Sequence, residues 1–558
     1  MADARLRPDR RAHDRTFERV TRGSCAGVGR VRHPPRGSTD SVAPRAIGRR
    51  TRIVATLGPA SEGEARIDRL LEIGVDALRV NFSHGSDSGH RSTLRMIRSA
   101  AVLRRSEVAI LADLQGPKIR IGALEGPPFR LSDGAEWRLD TSQRPGNPRR
   151  ASVSLPDLRG AARPGDPVLL GDGNVELEAV RIDGTDLVLR VVHGGIVAPH
   201  AGVFLPNARL RSANLGPKDL SDLALALEEG TDFVALSFVR DASDVRSARR
   251  LIERAGARRV GIVAKIERAE ALRHIDGILE EADALMVARG DLGIEVPLER
   301  LALEQKHLVH LANAAGRPVI VATQMLLSMV HAPRPTRAET TDAANAVLDG
   351  ADALMLSEET AIGDYPFEAV RWLDRICRTT EAAAAGSEVS IHVAPKAGKG
   401  VDRSVADTAF DLATALSATA IVVPTDSGRT ARLVAAHRPR VPVIALSAHP
   451  GTRRQLSLVW GVEAVECPDH LNLLELRALA KQIVAQHPRV GPEGPIVVTA
   501  GFPVEGVPTN LVTVVDPEET RPGPGKHRSP SGSGRPAEGG ARSAPHPRAG
   551  PVPRRSRS

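Results

Sequence analysis

Residues 261–296 read GIVAKIERAEALRHIDGILEEADALMVARGDLGIEV, and this stretch decides the fold. An apolar, β-branched run at 261–264 leads into Lys265 and Glu267. Residues 268–280 have the spacing of a helix, and a second apolar run, 284–288, delivers Arg289, Gly290 and Asp291. Strand, helix, strand in that order predicts a parallel pair joined by a crossover helix, with both strand ends on one face. That face carries one ammonium and two carboxylates. Two carboxylates on rigid strand ends suit a hard cation such as Mg²⁺, which keeps waters and takes phosphate oxygens as further ligands. An ammonium beside them suits negative charge on a phosphoryl group in transfer. A surface ion pair beside an unrelated loop acid is the competing reading, and the rest of the chain argues against it.

Working outward, apolar runs alternate with helical stretches at 52–57, 77–82, 108–114, 233–239, 261–266, 284–288, 318–323 and 353–356. Eight such strands close a (β/α)₈ barrel, whose active sites lie at the C-terminal strand ends. Near-continuous apolar strands fit a parallel sheet buried on both faces. Polar residues stand at those ends: Asn81 and Ser83, Asp113, Lys265 and Glu267, Asp291, Thr323, and Glu358 or Glu359.

The alternation breaks after Asp113. Residues 117–214 hold short strand signals at 136–139, 168–170, 175–182 and 187–192, separated by Gly, Pro and Asp. They predict a small β domain inserted in the loop after the third strand, placed over the barrel mouth as a lid that excludes water. The barrel is expected to occupy 49–116 and 215–385. A further α/β domain is expected at 386–516, with strands at 420–423, 443–446, 462–465, 496–498 and 511–515. After its first strand, Thr425, Ser427, Gly428, Arg429 and Thr430 precede a helix. That set suits either an effector's phosphate or an ordinary helix cap.

Charge is unevenly placed. Residues 1–50 carry 13 Arg against five acids, and residues 521–558 nine Lys or Arg against one, each a net of +8. Of the total of +9, residues 51–520 therefore hold −7. The body of the chain has no basic footprint for nucleic acid. Residues 1–48 and 517–558 are rich in Arg, Pro, Gly and Ser and are expected to be disordered. No apolar run approaches the length of a membrane span. Three scattered cysteines suggest no disulfide framework, as in a reducing cytoplasm.

The motifs RVNFSHG, DLQGPKIRIG, GIVAKIERAEAL, MVARGDLGIEVP, ATQMLLSM and PTRAETTDAANAVLDGADALMLSEETAIGDYP together resemble pyruvate kinase over about residues 50–515. The resemblance implies transfer of the phosphoryl group of phosphoenolpyruvate to ADP, with Mg²⁺ or Mn²⁺, in a homotetramer. It implies that Glu267 and Asp291 hold the metal and that Lys265 and Arg79 act on the phosphoryl group. Amides around Gly290 and Asp291, with Thr323, would take the substrate carboxylate, and Asn81, Phe82, Ser83, His84 and Arg120 would face the nucleotide. In many members K⁺ is held by residues matching Asn81, Ser83, Asp113 and Leu114. Here Lys118 stands where K⁺-dependent members carry Glu, and Leu114 where they carry Thr. The tethered ammonium of Lys118 is expected to replace the ion. Other departures are Leu327, where an acid is common; Glu358, where a small residue is usual; and His200 and Ala201, near where a lid lysine often contacts the nucleotide. Two other readings stay open at this point: a metal-dependent barrel enzyme acting on a 2-keto acid or its enolate, and a catalytically weak member with a regulatory or binding role.

Overall fold

The computed structural model describes residues 48–155, 157–171, 173–206, 215–386, 389–393, 400–488, 490, 494–501 and 509–516. The two tails expected to be disordered, 1–48 and 517–558, lie outside these residues, apart from Gly48. Eight parallel strands close a barrel: β1 (Arg52–Thr56), β2 (Ala77–Asn81), β3 (Ala109–Asp113), β4 (Phe233–Leu236), β5 (Gly261–Ile266), β6 (Ala284–Ala288), β7 (Val319–Ala322) and β8 (Ala353–Leu356). They follow one another round the ring in sequence order, and β8 pairs with β1. The single helix expected at 268–280 is two, Ala269–Arg273 and Ile275–Glu281. His274 between them leaves helical geometry, at φ −118° and ψ 18°.

Alternation along the strands places two layers of side chains. Ile53, Ile110, Ile262, Ala264, Leu285 and Val321 pack outward with the surrounding helices. Val54, Ala77, Leu111, Ala235, Val263, Met286, Ile320 and Ala353 pack together in the interior. Gly261 is required by this packing, because a Cβ there would lie 2.6 Å from the Phe233 ring. Two residues above Val54, Ala77, Leu111, Ala235 and Val263, the inward rows end in Thr56, Arg79, Asp113, Ser237 and Lys265. The barrel interior thus turns from apolar to charged at its C-terminal rim.

The segment between β3 and β4 forms a six-stranded sheet in the order Val203–Phe204, Pro167–Leu170, Val175–Asp183, Asp186–His193, Glu136–Asp140, Arg150–Ser152. Its own core surrounds the fully buried Trp137. After the barrel comes a five-stranded sheet ordered Val462–Glu466, Val443–Ser447, Ala420–Pro424, Ile496–Ala500, Leu511–Val515, with only its last pair antiparallel.

This C-terminal sheet domain closes the barrel end opposite the charged rim. Leu458 inserts among the interior residues, and Ser457 Oγ accepts the Ala109 amide at 3.2 Å. Arg438 is buried and paired with both oxygens of Asp352, at 3.0 and 3.1 Å, just before β8. Asp352 also accepts the Trp460 and Val319 amides, each at 3.1 Å. Removing one partner from a buried pair strands the other charge, at about 3–5 kcal/mol. Arg438→Met is therefore expected to lower the urea midpoint for unfolding of the C-terminal domain, read by tryptophan fluorescence. An unchanged midpoint would show that the pair does not couple that domain to the barrel.

Candidate active site

The rim residues form a chain of alternating charge. Arg79 Nε donates to Asp113 Oδ2 at 2.7 Å, and Lys265 Nζ donates to Asp113 Oδ1 at 3.1 Å. Lys265 Nζ also lies 2.9 Å from Glu267 Oε1 and donates to Ser237 Oγ at 2.7 Å. The other oxygen of Glu267 accepts the Phe238 amide at 2.7 Å. Asp113, Lys265 and Glu267 are all buried. Burial alone would raise the Asp113 carboxyl, but Lys265 and Arg79 outweigh it and hold its pKa below the usual range. Burial would lower the Lys265 ammonium, yet Asp113 and Glu267 outweigh it and hold its pKa above the ordinary lysine value. At neutral pH Lys265 is charged and fixed by three partners.

Glu267 is pushed up, first by burial and then by the like charge of Asp291, with Lys265 opposing. Asp291 lies in the first turn of the helix Arg289–Glu295, which begins directly at the end of β6. Two carboxylates that repel one another beside a fixed ammonium fit a hard divalent cation, which relieves the repulsion. No group of three or more His, Cys, Asp or Glu that could hold a metal occurs among the described residues. A pair of carboxylates leaves the remaining positions to water and substrate oxygens, as Mg²⁺ prefers.

Gly290 and Thr323 meet beside these acids, with the Gly290 amide donating to Thr323 Oγ1 at 2.7 Å. Thr323 sits at φ +68° and Gln324 at φ +52°, conformations costing about 1–3 kcal/mol each that must be held by their surroundings. Arg289 supplies part of that hold. Its guanidinium donates to the Thr323 carbonyl at 2.8 Å and to Asp342 at 2.6 Å. Glu359 braces the neighbouring strand ends, accepting the amides of Leu326 at 2.9 Å and Ser357 at 2.7 Å. Glu358 is exposed, and Leu327 is half-buried in a short 3₁₀ turn, Leu327–Val330.

Other expected residues stand apart from this chain or reach it differently. Asn81 Oδ1 accepts the Ser83 amide at 3.1 Å, turning the loop after β2, and His84 is exposed on that loop. The Phe82 side chain is fully buried, stacked on His90 with centroids 4.3 Å apart, and the Phe82 carbonyl accepts Lys218 at 2.7 Å. Only its backbone is left to border a nucleotide. Arg120 lies in the inserted domain and donates to the His200 carbonyl at 3.0 Å. Lys118 Nζ lies 3.3 Å from Asp291 Oδ1 and 5.7 Å from the centre of the Phe204 ring. Its acid partner is thus Asp291 rather than Asp113, whose charge is matched by Arg79 and Lys265. Leu114 is buried, and its carbonyl accepts Ser237 Oγ at 2.8 Å.

In the C-terminal domain, Thr425 Oγ1 accepts the Gly428 amide at 2.9 Å, and Gly428 has φ +76°. Thr430 is buried with its hydroxyl 2.9 Å from that of Thr509, and Arg429 pairs with Asp402. Asp426, Ser427 and Arg429 are the exposed members of the loop.

Sequence reading missed Ser237, Thr56 and the clamp made by Arg289. Ser237 sits within an apolar run, and Thr56 among β-branched strand residues. The signal that finds both is position: each lies two residues beyond an inward apolar residue, on the row that carries Lys265 and Asp113. Thr56 Oγ1 accepts Arg79 Nη1 at 3.1 Å.

Residues 48–370 match the family model described as pyruvate kinase, barrel domain, and residues 403–515 that described as pyruvate kinase, alpha/beta domain. A pyruvate kinase of Geobacillus stearothermophilus is 41% identical over 470 residues, covering 84% of this chain and 80% of that protein. One of Corynebacterium glutamicum is 41% identical over 470 residues, covering 84% and 98%. The crystal structure of a pyruvate kinase from Cryptosporidium parvum superimposes with a TM-score of 0.77 at 35% identity, covering 84% of this chain and 96% of that one. Matched barrel and C-terminal domains, and relatives aligned over most of their length, make this chain a member of the pyruvate kinase family, enzymes that use phosphoenolpyruvate and ADP, and generally Mg²⁺, to make pyruvate and ATP in glycolysis.

Proposed function

We propose that the rim of the barrel is where this chain carries out phosphoryl transfer, with Lys265 as the residue on which the rate most depends. The observation behind this reading is the placement of Lys265 Nζ between Asp113 and Glu267, at 3.1 and 2.9 Å. An ammonium held charged and aimed before substrate arrives costs no reorganisation as charge develops on the transferred group. Arg79 adds a second cation, restrained by Asp113 and Thr56, to contact the phosphoryl oxygens. The amides at Gly290 and Asp291, with Thr323, receive the substrate carboxylate at the start of the helix Arg289–Glu295. Asn81, Ser83, His84, the Phe82 backbone and, from the lid, Arg120 border the nucleotide. The inserted domain, residues 117–214, closes over the mouth and excludes water.

Glu267 and Asp291 would hold Mg²⁺ or Mn²⁺, and when bound the ion supplies positive charge to phosphoryl oxygens. The active form is a homotetramer acting in the cytoplasm, as the resemblance implies; among the described residues no helix is long and apolar enough to cross a membrane. In the C-terminal domain, Thr425, Ser427, Gly428, Arg429 and Thr430 remain the candidate site for an effector's phosphate.

Three outcomes test these assignments. Lys265→Met should cut kcat far more than it raises KM for phosphoenolpyruvate, by about 3 kcal/mol or more in transition-state stabilisation; a change confined to KM would assign Lys265 to ground-state binding. Glu267→Gln and Asp291→Asn should each abolish turnover while circular dichroism stays unchanged, and near-normal activity at ordinary Mg²⁺ would displace the metal site. In Tris or tetramethylammonium buffer the enzyme should turn over without K⁺, and Lys118→Glu should acquire a K⁺ requirement. Many-fold activation of the native enzyme by KCl at constant ionic strength would refute the replacement of the ion by Lys118.

A further inference from the structure

A pair of histidines lies outside the catalytic rim and has no part in the chemistry above. His310 is on the long barrel helix Leu301–Ala314, and His392 is on the segment that leads from the barrel toward the C-terminal domain. His310 Nδ1 and His392 Nε2 are 2.8 Å apart, with ring centroids 5.0 Å apart and planes inclined at 48°. The backbone beneath His392 is fixed independently of its ring. Its amide donates to the Leu348 carbonyl at 2.7 Å. Its carbonyl packs so close to Gly350, at φ +95°, that a Cβ on Gly350 would come within 2.7 Å of it. The two imidazoles are therefore brought together from segments far apart in sequence. His392 is exposed and His310 half-buried.

We propose that His310 and His392 form a two-imidazole site for a borderline-soft divalent cation such as Zn²⁺, which clips the segment at 389–393 onto the barrel. Imidazole nitrogens suit Zn²⁺, Cu²⁺ and Ni²⁺, whereas the oxygen pair Glu267 and Asp291 suits Mg²⁺ and Mn²⁺, so the two sites select different ions. Zn–N bonds of about 2.0–2.1 Å place two tetrahedral ligands about 3.3 Å apart, a separation the rings reach by opening slightly. Binding takes the lone pair of each facing nitrogen. The one proton held between the two neutral rings moves through solvent to the far nitrogen of the ring that carried it, with no net proton released. No third His, Cys, Asp or Glu joins the pair as a metal-holding group among the described residues, so water completes the coordination.

The test uses the full-length enzyme, stripped of transition metals by chelation, dialysed, and kept in excess Mg²⁺. The chain has 17 His, so the readout is the difference between native protein and variants. Calorimetric titration with Zn²⁺ should show one more ion bound per chain in the native enzyme than in His310→Asn or in His392→Asn. Zn²⁺ well above its Kd should raise Tm by about 2 °C or more in the native enzyme only. Both variants should match native kcat with Mg²⁺ before Zn²⁺ is added. His307→Asn should keep the extra ion. Equal Zn²⁺ stoichiometry and equal Tm shift in the native enzyme and both pair variants would overturn the site.

Discussion

Asp113 is the constraint on which the rim depends. It is a buried carboxylate at the inner end of β3, and it touches Arg79 on one side and Lys265 on the other. An isolated buried charge costs several kcal/mol, and an arginine and a lysine a few ångströms apart repel one another. Placed between them, Asp113 makes each cation tolerable and fixes where both point. Glu267 repeats the arrangement on the far side of Lys265. The alternation of sign along Arg79, Asp113, Lys265 and Glu267 lets four charges exist at the rim of a barrel whose lower layers are apolar. Loss of any one member leaves its neighbours uncompensated.

The remaining architecture keeps that layer in place. Parallel pairing sets Thr56 opposite Arg79, Arg79 opposite Leu111 and Asp113 opposite Ala235, so the inward rows are staggered from strand to strand, and their polar ends meet through the side chains of Arg79 and Lys265. The C-terminal domain seals the far end of the barrel through Leu458 and the Arg438–Asp352 pair, leaving the charged end as the open one. Arg289, Glu359 and the strained backbone at Thr323 then shape the loops around it. Lys118, from the start of the inserted domain, reaches Asp291 and so ties the lid to the site by charge.

Much of this was legible in the sequence because the two periods that matter were unbroken. Eight apolar runs spaced by helical stretches allow few closed topologies, and a polar residue after an apolar run is visible by inspection. The residues that escaped are those whose type fits a strand equally well. Ser237 and Thr56 are small or β-branched, and their role depends on facing inward, which requires the register of neighbouring strands. Phe82 shows another limit: its place in RVNFSHG implies a position beside the nucleotide, and only the structure reveals that its ring is buried against His90. The partner of Lys118 was also unreadable, since the reach of a flexible four-carbon stem depends on where the inserted domain sits.

The most direct measurement is the titration of the Lys265 ammonium by ¹⁵N NMR in the native enzyme and in Asp113→Asn, with Lys265→Met to assign the signal. The alternating chain requires that native Lys265 stay charged beyond the ordinary lysine value of about 10.4 and that it titrate lower once Asp113 is neutral. A native Lys265 that loses its proton below that value, or one whose titration is indifferent to Asp113, would contradict it.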